Sequence, residues 1–201
     1  MEILRPNCRR WPGLSKPTAR RVIAAMLAGW LLFAGACSAL AQGKAAGEYE
    51  IKAAFLYNFT KFVEWPQEAF PAAISPIRLC VLGSDPFGPN FETAVAGKRV
   101  NGRNVEVAHL MRLEPIRSCQ VLFVTASRVK DMPLIVQRLG PANVLTVGDS
   151  PGFANLGIVN FIWDGNRVRF EISPVNAQRA GLKISSRLMS LARIVSTPPS
   201  S

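Results

Sequence analysis

The sequence predicts an α/β domain with a mostly parallel central sheet, helices on both faces, a C-terminal antiparallel hairpin and a terminal helix. Short apolar segments bounded by Gly, Pro, Ser or Asp alternate along the chain with segments of helical periodicity. This alternation favours parallel strands, because each parallel connection crosses over through a helix that covers one face of the sheet. Near the C-terminus, two strand-like segments flank Asp164-Gly165-Asn166, which is a strong hairpin signal.

The first predicted element is an amphipathic helix from Glu48 to Trp65. Its apolar residues recur at helical spacing, and Pro66 ends the pattern because the residue before a proline avoids the helical conformation. Four strands follow, with one helix between the first two and another between the last two. The strands are predicted at Ile77–Gly83, Val105–Leu110, Val121–Thr125 and Val144–Val147, and the helices at Asn90–Ala96 and Val129–Leu139.

The C-terminal part of the chain departs from this alternation. Its hairpin arms are predicted at 158–163 and 167–172, and alternate residues of the second arm form a face exposed to solvent, with Arg167, Arg169 and Glu171. A short helix should begin at Ser173-Pro174 and end at Gly181. The last helix should begin at Ser186 and present one apolar stripe made of Leu188, Leu191, Ala192 and Val195.

The N-terminal 41 residues have the pattern of a secretory signal peptide. A basic end is followed by an apolar run at 22–35 and by Ala39-Leu40-Ala41, so cleavage is expected before Gln42. The alternative is a retained membrane anchor, but the apolar run has about 14 residues and a spanning helix needs about 20. We therefore expect an exported protein with a signal peptide at 1–41, one domain at 42–196 and a disordered tail at 197–201.

The net charge does not indicate a nucleic-acid partner. The whole chain has a formal charge of +11, and removal of the leader leaves 18 basic and 12 acidic residues, a charge of +6. A nucleic-acid-binding domain concentrates Lys and Arg on one face with interleaved aromatic residues. The charges of this chain are scattered, so no nucleic acid is expected to bind.

Two cysteines, Cys80 and Cys119, remain after the leader. In an oxidising compartment two cysteines suggest one disulfide, and the alternative is a pair of separate buried thiols. The bridge would close a loop of about 40 residues, which stabilises a folded chain by on the order of 4 kcal/mol in the chain-entropy model.

The segment Gly148-Asp149-Ser150-Pro151-Gly152 matches the nucleophile motif of a class of hydrolases. The residue after that nucleophile must donate its backbone N–H to the oxyanion hole, and a proline has no N–H to donate. His109, the one histidine, also precedes the serine, whereas these hydrolases place it afterwards. A tight turn is therefore the favoured interpretation of the motif, and a structural role is expected for His109.

Neither a metal nor a cofactor is expected. One histidine, two cysteines that are expected to pair with each other and scattered carboxylates do not form a ligand set with metal-binding spacing. Gly83 and Gly88 do not form the glycine pattern that cradles a dinucleotide. The sequence thus predicts no catalytic residue, and a protein that is not an enzyme.

The most distinctive stretch reads YEIKAAFLYNF at 49–59 and KFVEWP at 61–66. Together with segments at 123–125, 145–160 and 182–188, it resembles the YfiR family over nearly the whole of the exported chain. The resemblance implies a periplasmic protein that binds the periplasmic sensory portion of an inner-membrane diguanylate cyclase. Binding would inhibit the cyclase and lower cyclic di-GMP and biofilm formation. The resemblance further implies an outer-membrane lipoprotein that sequesters the protein, and a symmetric homodimer is compatible with the sequence.

The resemblance also bears on the cysteines. Cys80 and Cys119 match a family disulfide that joins the first central strand to the start of a neighbouring strand. Other family members carry a second bridge near the loop after Val147, but the loop 148–157 of this chain has no cysteine. A redox switch built on two bridges would therefore lack one of them here.

Two surfaces are candidates for binding. The first, for a protein partner, combines the exposed face of the hairpin with the outer face of the first helix, at Arg167, Arg169, Glu171, Tyr57 and Lys61. The alternative for these residues is an ordinary solvated surface. The second surface belongs to a rival function, a periplasmic small-ligand-binding module, because open α/β sheets have a crevice at the carboxyl ends of their strands. That crevice would be lined by Ser84, Asp85, Ser127, Asp149 and Ser150.

Overall fold

The structure is a computed structural model that describes residues 47–165 and 167–196. The predicted signal peptide at 1–41 and the predicted tail at 197–201 lie outside the described residues. Among the residues described, none of the helices has the length and apolar character that crossing a bilayer requires.

Eight strands form one sheet in the order β10-β8-β7-β6-β5-β2-β4-β3, and β1 pairs with β9 apart from it. The strands are β1 Val63–Glu64, β2 Ile77–Leu82, β3 Arg99–Val100, β4 Arg103–Leu110, β5 Val121–Val124, β6 Leu145–Gly148, β7 Val159–Asp164, β8 Arg167–Ile172, β9 Lys183–Ile184 and β10 Arg193–Ile194. The helices are α1 at 47–62, α2 Asn90–Val95, α3 Met132–Leu139, α4 Pro174–Arg179 and α5 Ser186–Met189. Strands β4, β2, β5, β6 and β7 pair in parallel, and β7 pairs antiparallel with β8. The predicted fold class is confirmed.

Helices cover both faces of this sheet, so each central strand is buried on both sides. In β2, Leu79 and Val81 pack into a core with α1 and α2, while Cys80 and Leu82 pack into a second core with α3. Burial on both faces explains why these strands appear in the sequence as nearly continuous apolar runs.

Helix α1 is held to the sheet by its phenylalanines. The ring of Phe59 is fully buried and lies 5.8 Å from the ring of Phe161 and 5.3 Å from the ring of Phe170. The helix ends at residue 62, three residues before the predicted end at Trp65, because Val63–Glu64 pairs with β9 instead. This pairing partner lies about 120 residues away in the sequence, beyond the reach of a local pattern.

The C-terminal segment is where the sequence prediction of a long last helix is wrong. Helix α5 has four residues, and the chain then forms β10, which pairs in parallel with the end of β8. The backbone N–H of Val195 donates to the carbonyl of Ile172 at 2.8 Å. Leu191, assigned to the apolar stripe, remains 65% exposed. Pairing with the sheet edge satisfies backbone groups that a longer helix would have satisfied internally.

Candidate functional site

The two cysteines form a disulfide, as expected. Cys80 on β2 and Cys119, two residues before β5, have Cα atoms 5.9 Å apart. Both lie in the second core, where Ile116 of the preceding turn is fully buried. The bond therefore fastens the segment before β5 to the neighbouring central strand.

The carboxyl ends of β2 and β5 lie side by side, and their loops contact each other directly. The backbone N–H of Ser84 donates to the hydroxyl of Ser127 at 3.2 Å, so the structure brings these two predicted crevice residues together. Gly83 has a φ of +104°, and a Cβ there would lie 2.3 Å from Oγ1 of Thr125. Only glycine suits this position, since both the backbone angle and the close approach exclude a side chain.

Aromatic rings occupy the space above these strand ends. The ring of Phe87 lies 4.9 Å from that of Phe123 and 5.4 Å from that of Tyr49. Asp85 caps its own loop, because its carboxylate accepts hydrogen bonds from the backbone N–H groups of Phe87 and Gly88 at 2.9 and 3.1 Å. These rings therefore pack together next to the predicted crevice residues at the ends of β2 and β5.

The other predicted crevice residues follow β6. Asp149 is bound by α1: the ammonium of Lys52 lies 2.8 Å from Oδ2, and the hydroxyl of Tyr49 donates to the same oxygen at 2.8 Å. Glu48 accepts from Lys52 on the other side, with Nζ 2.6 Å from Oε1. Ser150 lies in the turn, where its carbonyl accepts from a backbone N–H three residues later at 3.0 Å.

The network is buried and changes the acidity of its tyrosine. Burial is the largest cause that raises the pKa of Tyr49, and the hydrogen bond to Asp149 and the charges of Asp149 and Glu48 raise it further. Lys52 was not singled out in the sequence, although it lies on the apolar stripe of α1, three residues before Phe55 and seven before Phe59. A charge on a buried helix face was the signal that could have identified it.

Ser150 and His109 do not meet. His109 lies on β4, three strand positions from β6, which corresponds to about 14 Å across the sheet. Its Nε2 lies 2.5 Å from the carboxylate of Glu92, and its Nδ1 lies 3.8 Å from that of Asp85. The hydrogen bond with His109 is the main cause that lowers the pKa of Glu92. The geometry provides no histidine to activate this serine.

The predicted partner-binding residues fall on two separate surfaces. Tyr57 on α1 contacts the ammonium groups of Lys61 and Lys98, 4.2 and 4.4 Å from its ring centre, beside the β3 edge. Arg167 and Arg169 lie on β8, next to the edge strand β10. They also lie on the face opposite α1, since their neighbour Phe170 packs against that helix.

One residue of that set is not on an exposed face. Glu171 is buried, whereas the alternation of β8 predicted that it would face solvent with Arg167 and Arg169. It is hydrogen-bonded to Asn160 on β7 and to the guanidinium of Arg193 on β10. The prediction failed because β10, which the sequence pattern did not reveal, covers this end of β8. Over the described ranges 47–165 and 167–196, no cluster of three or more His, Cys, Asp or Glu side chains could hold a metal ion.

Comparison with known proteins gives one informative match. A family model described as YfiR/HmsC-like matches residues 49–193. No curated protein matches significantly.

Two solved structures are similar over part of their length. The ABC domain in complex with L-Trp from Streptococcus pneumonia is 12% identical, with a TM-score of 0.44 and coverage of 59% of this chain and 55% of that chain. A conserved domain protein from Vibrio cholerae O1 biovar El Tor is 10% identical, with a TM-score of 0.42 and coverage of 59% and 54%. This chain thus spans just over half the length of each, and at these TM-scores the similarity supports no functional conclusion.

Proposed function

Because this chain belongs to the YfiR/HmsC-like family, we propose that it is a periplasmic regulator that inhibits an inner-membrane diguanylate cyclase by binding the cyclase's periplasmic portion. The single observation that carries the proposal is the family match over 49–193, which extends from α1 to the start of β10. Inhibition lowers cyclic di-GMP and biofilm formation. The regulator acts by binding, without catalysis, and an outer-membrane lipoprotein and a second copy of the chain are further partners proposed on the same grounds.

The disulfide agrees with a periplasmic location, because such bonds persist in oxidising compartments and are rare in the cytosol. Cys80 and Cys119 are separated by 39 residues in sequence, so their bond restricts a long loop of the unfolded chain. In the proposed mechanism, the bond keeps the domain in the conformation that binds the cyclase.

The docking surface we propose lies around Tyr57 on α1. Lys61 and Lys98 both contact the tyrosine ring, and neither forms an ion pair within the described part of the chain. On the hairpin, by contrast, Arg169 is 2.9 Å from the carboxylate of Asp164. Two cations without a carboxylate partner, next to an aromatic ring, suit an acidic surface better than a cation that is already paired.

Binding to the periplasmic portion of the cyclase tests the proposal. The protein is compared in oxidised and reduced form, and a Lys61→Ala/Lys98→Ala variant is compared with Arg167→Ala/Arg169→Ala, which removes the same charge on the opposite face of the sheet. We expect the first pair to weaken binding roughly tenfold, mainly through the association rate at low salt. If the protein binds tightly and only Arg167→Ala/Arg169→Ala weakens binding, the docking surface lies on the hairpin instead. If neither the oxidised nor the reduced protein binds, the proposed regulatory function is wrong.

A further inference from the structure

A groove of about 560 Å³ runs between the loop after β6 and the last strands of the chain. Asn160 and Glu171 form its floor, Arg193 lies at its rim, and the half-exposed Trp163 forms part of its wall. Its volume is within the range of sites for small molecules. We call it the C-terminal groove. It lies beside the loop after β6 and is bordered by Asp149, whereas the predicted crevice residues Ser84 and Ser127 follow β2 and β5.

Glu171 is a buried carboxylate at the bottom of this groove. Its side chain is 8% exposed, and Nδ2 of Asn160 donates to it at 3.0 Å. Its other oxygen accepts from the guanidinium of Arg193. Arg193 itself is 70% exposed and belongs to a strand of two residues at the edge of the sheet. The guanidinium on Glu171 therefore comes from a two-residue strand at the edge of the sheet.

The side chain of Asn160 has an acceptor atom that no group in the described part of the protein satisfies. Because its amide nitrogen is committed to Glu171, the orientation of the amide is fixed and Oδ1 is the acceptor. Asn160 is 1% exposed, and Oδ1 is buried without a hydrogen-bond partner. A buried acceptor is stabilised by a donor that reaches it, so Oδ1 of Asn160 is a second recognition point beside the carboxylate of Glu171.

We propose that the C-terminal groove binds a small ligand with an amidinium or guanidinium group. The group takes the place of Arg193 on Glu171 and donates a further N–H to Oδ1 of Asn160, and the remainder of the ligand lies against Trp163. A planar cation with several fixed donors fits a carboxylate and a neighbouring acceptor together, whereas an ammonium acts as a point charge. A cation or flat group is also attracted to the face of an indole. This inference stands independently of the proposed regulatory function.

Calorimetry with benzamidine tests the site, and benzamide and benzoate serve as neutral and anionic probes of the same shape. We expect benzamidine to bind and the other two not to bind. Arg193→Leu should raise the affinity for benzamidine several-fold because it removes the internal competitor, and Glu171→Gln should lower it roughly tenfold because it removes the charged acceptor. Arg167→Leu, which deletes an equal charge away from the groove, should leave the affinity unchanged.

Backbone NMR shifts of the unaltered protein locate the benzamidine site even if the Glu171 variant does not fold. Benzamidine should shift signals at 149–155, Asn160, Glu171 and Arg193. Shifts that cluster elsewhere, equal binding of benzamide, or an Arg193→Leu variant that is folded and does not bind benzamidine would each overturn the site.

Discussion

Lys52 on α1 and Asp149 on the loop after β6 form an ion pair of 2.8 Å in which both side chains are more than nine-tenths buried. Although 97 residues separate them in sequence, they join the first helix to the carboxyl edge of the sheet. Burying two charges costs desolvation energy, which their attraction and the hydrogen bond from Tyr49 offset. Removing one partner should therefore cost more stability than the intact pair contributes, because the other charge stays buried without a partner.

We expect Lys52→Met to lower the free energy of unfolding by about 3 kcal/mol, because it leaves the carboxylate of Asp149 buried without its cation. Lys61 is an exposed lysine on the same helix, and Lys61→Met should change the free energy of unfolding by less than about 0.5 kcal/mol. Urea denaturation measures both.

A double-mutant cycle completes this test. Lys52→Met/Asp149→Asn should be more stable than the sum of the two single changes predicts, because the neutral amide no longer needs a cation. Additive losses would show that the two side chains do not interact in solution.

Tyr49 should resist ionisation while the domain is folded. Its raised pKa means that the folded chain holds the neutral phenol, so this contribution to stability is present below the ordinary tyrosine pKa of about 10 and is lost as the pH rises above it. In a Tyr57→Phe background Tyr49 is the one tyrosine left, and ultraviolet difference absorbance should show phenolate appearing together with unfolding.

An Asp149→Asn change in that background should move the titration toward lower pH. The shift should be partial, because burial contributes more to the raised pKa than the carboxylate does. Phenolate that forms near pH 10 while circular dichroism still reports a folded chain would argue against the buried network.

The disulfide should stabilise the domain by about 4 kcal/mol in the chain-entropy model. Replacing both Cys80 and Cys119 with serine removes the bond and its restriction of the unfolded chain, and reduction of the unaltered protein should cost a similar amount. The comparison uses urea midpoints with and without a reductant. Equal stability of the oxidised and reduced forms would count against this role.

The side chain of Asn176 should be essential for the stability of the loop that follows β6. Its Nδ2 donates to the backbone carbonyls of Gly157 at 2.7 Å and Ala154 at 3.2 Å, in a part of the chain that has no cysteine to bridge it. Asn176→Asp replaces the donor with a carboxylate facing two carbonyls, and we expect a loss of about 2 kcal/mol or more. The exposed Asn104→Asp should be nearly neutral. Thermal unfolding of both variants would reveal whether the donor matters.

Much of the fold was predictable because its signals are local. The strands at 77–82, 121–124 and 167–172 are apolar or alternating segments next to turn residues, and each was located within one residue of its observed ends. Asp164-Gly165 likewise indicated the hairpin between β7 and β8. Such patterns reflect the burial of individual residues and can be recognised within a short window of sequence.

The remainder depended on contacts between distant parts of the chain. Strand β10 has two residues, too few for any periodicity, and its partner β8 determines where it lies. Once β10 is in place, Glu171 is buried, although the alternation of its own strand places it on the same face as the exposed Arg167 and Arg169. Lys52 similarly shows its role only when Asp149 is known to be nearby.

The two candidate protein-binding surfaces lie on opposite faces of one sheet, around Tyr57 and around Arg167. Two proteins docked at these places would not collide, so a ternary complex with the regulator in the middle is sterically allowed. If one protein bound on each face and one displaced the other, simple occlusion could not explain the displacement. The two sites would then have to be coupled through the sheet, by a change in the packing of the regulator itself.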